Sequence, residues 1–195
     1  MKLFSLFLLA GAVLSAAPIG TTQVTLVNAG SPLADDGQYY VGPYTLSMNG
    51  SNIAVMCVDV LHESNVGDTW TASLSQVGGD ISSTYHPLDT AQYEMEAYLY
   101  SLIIKPGADR VDIQHAAWAI TDPGYAINGA AQAYVTLAQN NYAGMDFSGY
   151  KLVSSIGCER EQEFLVGTPE PGSLTLLGAG LLLSGFLARR KLVRA

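Results

Sequence analysis

Two cysteines and three histidines are the side chains of this sequence best suited to nucleophilic or metal chemistry. Cys57 with His62 or His115 supplies the residue types of a thiolate pair, the arrangement of a cysteine-dependent hydrolase. No local nucleophile signature surrounds Cys57, and such signatures do not transfer between families. Asp59, His62 and Glu63 lie close together, but their spacing matches no zinc signature. On a strand continued through them, His62 and Glu63 point to opposite faces. His86 stands apart from the others. No glycine-rich phosphate loop, Gly-x-Ser-x-Gly elbow or framed carboxylate pair is present, so neither a metal nor a cofactor is expected. Cys57 and Cys158 form a disulfide pair in an oxidising compartment, or stay apart as small buried side chains.

The elements that must position these residues change period along the chain. Residues 23–27 alternate and are rich in β-branched types, with Ser31-Pro32 and Asp35-Asp36-Gly37 as breakers. Residues 39–48 and 53–60 flank Asn49-Gly50, a strong hairpin signal. Residues 69–77 read as another strand. Asp89 is placed to cap a helix that runs to Ile103 and stops at Lys105-Pro106-Gly107. Asp109 caps a second, with Ile113, Ala116, Ala117 and Ile120 on its buried side and Asp122-Pro123-Gly124 as its stop. Residues 130–139 form a third. Residues 150–156 and 163–166 return to strand character. The expected fold class is α+β: a β-rich domain with inserted helices, in the order strands, helices, strands.

Cys57 at the end of a strand, followed by a helix carrying Gln114, Ala116 and Trp118, resembles the thioester (TQXA-type) domains of bacterial surface adhesins. The likeness spans about residues 39–120. Cys57 takes the place of the cysteine, Gln114 of the glutamine, Ala116 of the alanine and Trp118 of the following aromatic. Ile113 stands where the family has threonine. The resemblance implies an internal thioester: the thiol displaces ammonia from the glutamine side chain, and an amine-bearing surface or matrix ligand then attacks the acyl sulfur once per molecule. Gln114 and Trp118 are one helical turn apart, so the indole is placed to shield such a bond. Beside it stand the bland reading, in which both are core residues, and the Cys57–Cys158 disulfide.

The chain ends carry a different message. Lys2, an uncharged apolar run over residues 3–14 and the small Ser15, Ala16 and Ala17 form a signal peptide, residues 1–17. At the other end, Thr168-Pro169-Glu170-Pro171-Gly172 breaks any helix. Residues 173–188 are uncharged and rich in Leu, Gly and Ala, and Arg189, Arg190, Lys191 and Arg194 follow. Sixteen helical residues span about 24 Å, enough for a transmembrane helix once the arginines snorkel. The basic tail, residues 189–195, then stays cytoplasmic and residues 18–167 lie outside the inner membrane.

Pro169, Glu170 and Pro171, the short apolar span and the basic cluster together resemble the PEP-CTERM sorting signal, over residues 168–195. That resemblance implies an exosortase as partner, in a Gram-negative bacterium that makes exopolysaccharide and biofilm. The expected destination is the envelope, as a membrane-anchored, cell-surface or extracellular-matrix protein.

Charge excludes one class of partner. The whole chain carries −8, but residues 18–167 hold four bases against 16 acids, a net −12. A body that acidic repels phosphate backbones, so no nucleic acid is expected. The expected function is a non-catalytic binding or adhesion module, with a secreted cysteine-dependent hydrolase as the alternative.

Overall fold

The computed structural model describes residues 20–30, 37, 39–85, 90–157 and 161–167. The signal peptide, the tail from residue 168 onward, His86, Asp89 and Cys158 lie outside these residues. Among the described residues no helix is long and apolar enough to cross a membrane.

Six antiparallel strands close into a barrel in the order β1-β2-β3-β6-β5-β4. β1 (Thr21–Asn28), β2 (Tyr44–Met48), β3 (Ser51–Cys57) and β4 (Thr69–Gln76) come first. Three helices follow, α1 (Thr90–Ile103), α2 (Arg110–Thr121) and α3 (Gly129–Asn141), and then β5 (Tyr150–Ser155) and β6 (Phe164–Gly167). The β-rich chain with inserted helices is thus observed. Period-2 burial runs along β1 and β2, as expected of strands with one face on a core. Asn49 and Gly50 both take positive φ, 51° and 77°, which is the two-residue hairpin geometry that Asn-Gly favours. It sets the register Met48↔Ser51.

Two strands differ from the sequence reading. The first hairpin strand begins at Tyr44, not at residue 39, because Pro43 has no backbone N–H to donate to a ladder. The second stops at Cys57, not at residue 60. There the Asp59 carboxylate accepts the Leu61 N–H at 2.9 Å, a side-chain turn that competes with the sheet ladder. Val58 still donates to the Glu163 carbonyl at 3.0 Å, so the chain leaves the barrel only after the end of β3.

The helices start where their caps dictate. Asp109 caps α2 by accepting from the Asp112 N–H. Asn128 caps α3 by accepting from Ala131 N–H at 2.8 Å. The helices cover one side of the barrel, and a first core fills the layer between them. Met56, Val58, Leu152 and Leu165 meet Tyr93, Leu99, Ile113 and Ala116 there. A second core fills the barrel, with Leu26, Leu46, Cys57, Trp70 and Phe164. Trp118 joins that second core although it belongs to α2. Adjacent residues of β3 therefore serve different cores, Met56 the outer and Cys57 the inner, as alternation requires.

Glu96 and Glu163 are both fully buried in the helix-facing layer. Glu163 accepts from the Tyr93 hydroxyl at 2.7 Å, the Tyr85 N–H at 3.1 Å and the Ser154 hydroxyl. Glu96, one turn beyond Tyr93, has no hydrogen-bond partner for either oxygen among the described residues. Burial first, and then the charge of Glu163, hold its carboxyl well above the ordinary value of 4.5. The folded chain therefore keeps a proton on Glu96 that the unfolded chain releases, and stability falls as pH rises above 4.5. Glu96→Gln is expected to remove that fall. Its melting temperature should match the parent at pH 4 and exceed it by several degrees at about pH 8. Parallel melting curves across that range would show that Glu96 is not the titrating group.

Candidate functional site

Cys57 closes β3 with its side chain fully buried. Its partner across the ladder is Phe164, whose ring stacks on Trp70 and meets Tyr44 edge-on. The thiol donates to the Asp59 carbonyl at 3.0 Å. Burial pushes the thiol's pKa up strongly, against smaller lowering contributions from an Asp59 backbone hydrogen bond and from the Trp118 indole. Cys57 is thus a protonated, water-excluded thiol at neutral pH. A turnover nucleophile needs the reverse, a partly exposed thiol with a lowered pKa.

Gln114 arrives from 57 residues away on α2 and is fully buried. Its side-chain amide donates to the Cys57 carbonyl at 2.6 Å. Its carbonyl oxygen accepts from the Gly42 N–H at 3.4 Å, the long limit of a hydrogen bond. Gly42 allows this approach because it has no side chain. A Cβ there would stand 3.1 Å from the Gln114 oxygen and 3.0 Å from the Tyr44 ring. Both ends of the carboxamide are therefore held by backbone, one by the residue that carries the thiol.

Trp118 sits one turn further along α2, 1% exposed. Tyr39, His115 and Tyr125 all meet its ring, at centroid distances of 5.4, 5.4 and 5.6 Å. By strict geometry its indole N–H has no hydrogen-bond partner among the described residues, yet it lies near enough to the Cys57 sulfur to favour the thiolate. A buried indole N–H normally finds an acceptor. Here the polar neighbour is a sulfur, a weak acceptor.

The structure sets the Gln114 amide on the Cys57 carbonyl and puts Trp118 in the same core as Cys57. Ala116 and Ile113 face the outer core instead. His115 is engaged by the Tyr125 hydroxyl at 2.9 Å. His62 pairs with Asp59, Nδ1 to Oδ2 at 2.6 Å, and packs against Tyr85. β3 ends at Cys57, so the strand alternation expected to set His62 and Glu63 on opposite faces does not extend to them. No cluster of three metal-ligating side chains occurs among the described residues. Gly42 is a residue that sequence reasoning missed, and Asp59 and His62 were weighed there as metal ligands, not as a hydrogen-bonded pair. Asp59 and His62 are three apart, a spacing that signals a side-chain turn only when the strand is known to stop.

Trp118 lines a cleft of about 210 Å³ together with Tyr39, Tyr40, Tyr44, His62 and Glu63. Cys57 and Gln114 are fully buried and are not among its lining residues; Trp118 touches both the cleft and the core that holds Cys57.

Among curated proteins, none matches this chain. A solved structure similar to it is the N-terminal thioester domain of a surface protein from Clostridium perfringens. The two are 14% identical, with 77% of this chain and 99% of that chain covered and a TM-score of 0.46. The C-terminal segment gives the firmer finding. Residues 168–191 match the family model described as the PEP-CTERM protein-sorting motif, so the chain carries that motif at the end of its barrel domain.

Proposed function

We propose that this is an exported surface or matrix protein, sorted by an exosortase, whose barrel domain captures an amine once through a Cys57–Gln114 thioester. Residues 1–17 act as signal peptide, residues 18–167 as the exported domain and residues 168–195 as the sorting and anchoring segment. The sorting motif supports the route. One observation carries the chemistry: the Gln114 carboxamide is buried against the Cys57 backbone.

The chemistry balances within the chain. The Cys57 sulfur attacks the Gln114 carboxamide carbon, the new S–C bond forms, and the C–N bond breaks. The thiol proton leaves with the nitrogen as ammonia, so no external acid or oxidant is needed. In the tetrahedral intermediate the charge collects on the Gln114 oxygen. The Gly42 N–H is aimed at that oxygen, in position to shorten its bond as the charge develops. Trp118, Tyr44 and Phe164 then keep water from the acyl sulfur. A hydrolase reading has less support, because the thiol is sealed from an external substrate while Gln114 lies buried beside the same residue.

The test is mass. The purified full chain, whichever termini processing leaves, is expected to weigh one ammonia less than its own sequence. Methylamine should then add at Gln114, found as the N-methylamide after digestion, and free one thiol for alkylation at Cys57. A disulfide would instead remove two hydrogens and be reversed by reductant. A mass equal to the plain sequence, with both thiols alkylated at once, would leave Cys57 and Gln114 as ordinary core residues.

A further inference from the structure

The geometry points to the aromatic cleft as an alkylammonium site in which the Asp59–His62 pair takes the proton from the attacking amine; this rests on the thioester reading above. A primary amine attacks only through its lone pair, and alkylamines in neutral water are ammonium ions. A site that captures them needs a place for the cation and an acceptor for its proton. Both stand in the one cleft.

Tyr39, Tyr40 and Tyr44 present aromatic faces and edges along it, and Glu63 stands exposed at its rim. Aromatic rings and a carboxylate together favour an organic cation over a neutral or anionic ligand. A volume of about 210 Å³ suits a lysine-like side chain better than a folded surface.

His62 lines the same cleft as Trp118, the residue one turn beyond Gln114. Its Nδ1 is 2.6 Å from the Asp59 carboxylate, whose side chain is fully buried while that of His62 is 30% exposed. A carboxylate at Nδ1 holds the N–H on that nitrogen and leaves the Nε2 lone pair as the base. The Asp59 carboxylate is itself held by the Leu61 N–H, and Asp59 is two residues from Cys57, whose thiol its carbonyl receives. One short turn thus supplies both the carbonyl that receives the Cys57 thiol and the carboxylate that holds His62.

In the proposed step the ammonium gives a proton to His62 Nε2, and the freed lone pair attacks the Gln114 acyl carbon. The C–N bond forms, the C–S bond breaks, and the Cys57 sulfur leaves with the second amine proton as a thiol. His62 then releases its proton to water. Asp59 is a positioning residue, since it acts through the imidazole.

The experiment compares two amines at neutral pH on the full chain. Methylamine is protonated there and needs a base, whereas hydroxylamine is already neutral and does not. His62→Gln is expected to slow methylamine capture by about 100-fold and to leave hydroxylamine capture nearly unchanged. Asp59→Asn should do the same to a smaller degree. Equal slowing of both amines would assign His62 a structural role and overturn the proposal, as would no slowing of either. If the parent chain reacts with hydroxylamine while His62→Gln behaves like it, only this inference fails. If the parent reacts with neither amine, the thioester reading falls and this inference with it.

Discussion

Replacing Cys57 with Ala is expected to abolish both the missing ammonia and every amine adduct, while Cys158→Ala leaves both intact. The prediction follows from the proposed roles, the Cys57 sulfur as nucleophile and Gln114 as acyl donor. The observed contact between the two residues, Gln114 amide to Cys57 carbonyl, is built from β3 and α2. Gly42→Ala tests the same site without touching either reacting group. The added Cβ would stand 3.1 Å from the Gln114 oxygen, tighter than ordinary contact, and 3.0 Å from the Tyr44 ring. The carboxamide must then move by a few tenths of an ångström, and the Gly42 N–H is no longer aimed at its oxygen. Bond formation should slow by about 10- to 100-fold, seen as a chain that gains the full sequence mass when freshly made and loses ammonia only over time. Circular dichroism on both variants separates lost chemistry from lost folding. If Cys57→Ala still captures methylamine at Gln114, the thioester reading is finished.

Changing Arg189, Arg190, Lys191 and Arg194 together to Ser is expected to release the protein from the membrane fraction or leave it unsorted. Those four are the basic residues of the terminal segment, and all follow the uncharged span. Positive charge beside an apolar span is what keeps that end in the cytoplasm. Four serines remove the orienting charge and the snorkelling side chains that let a span of about 24 Å reach both interfaces. A reporter fused after Ala195 should behave as cytoplasmic in the parent and lose that placement in the variant. Cell fractionation reads the outcome. A variant retained and processed like the parent would show that the cluster plays no part in sorting, whatever the motif over residues 168–191 does.

The C-terminal sorting motif was legible because its signal is local. A breaker, an apolar run and a charge cluster are properties of consecutive residues, and the motif could be read in order from Pro169. The cap and stop of α2 were legible for the same reason: Asp109 acts on the backbone N–H of Asp112, three residues on. So was the β2–β3 hairpin, since Asn49-Gly50 dictates its own turn. The cap of α3, Asn128, went unread.

Closure of the barrel was not legible. It depends on β1 meeting β4 and β3 meeting β6, pairings between segments far apart, and residue patterns record which face is apolar but not which neighbour covers it. The candidate site lies on the same divide. The residue types Cys57, Gln114 and Trp118 were visible in the sequence, through a family likeness and not through spacing. That Gln114 reaches the Cys57 carbonyl was decided by α2 packing its Trp118 end into the barrel core. Gly42 gave no sign of its role, because a glycine needed for close approach looks like any glycine until the approaching atom is placed. The pairing of Asp59 with His62 was not visible for a related reason: it depends on the turn at Asp59 that ends the ladder. By itself, then, the sequence determined the sorting motif, the start of α2 and the one hairpin, because each is written in consecutive residues. The tertiary structure alone decided that the Gln114 carboxamide lies on the Cys57 backbone, because that contact joins chain segments that only the closed barrel and its helices bring together.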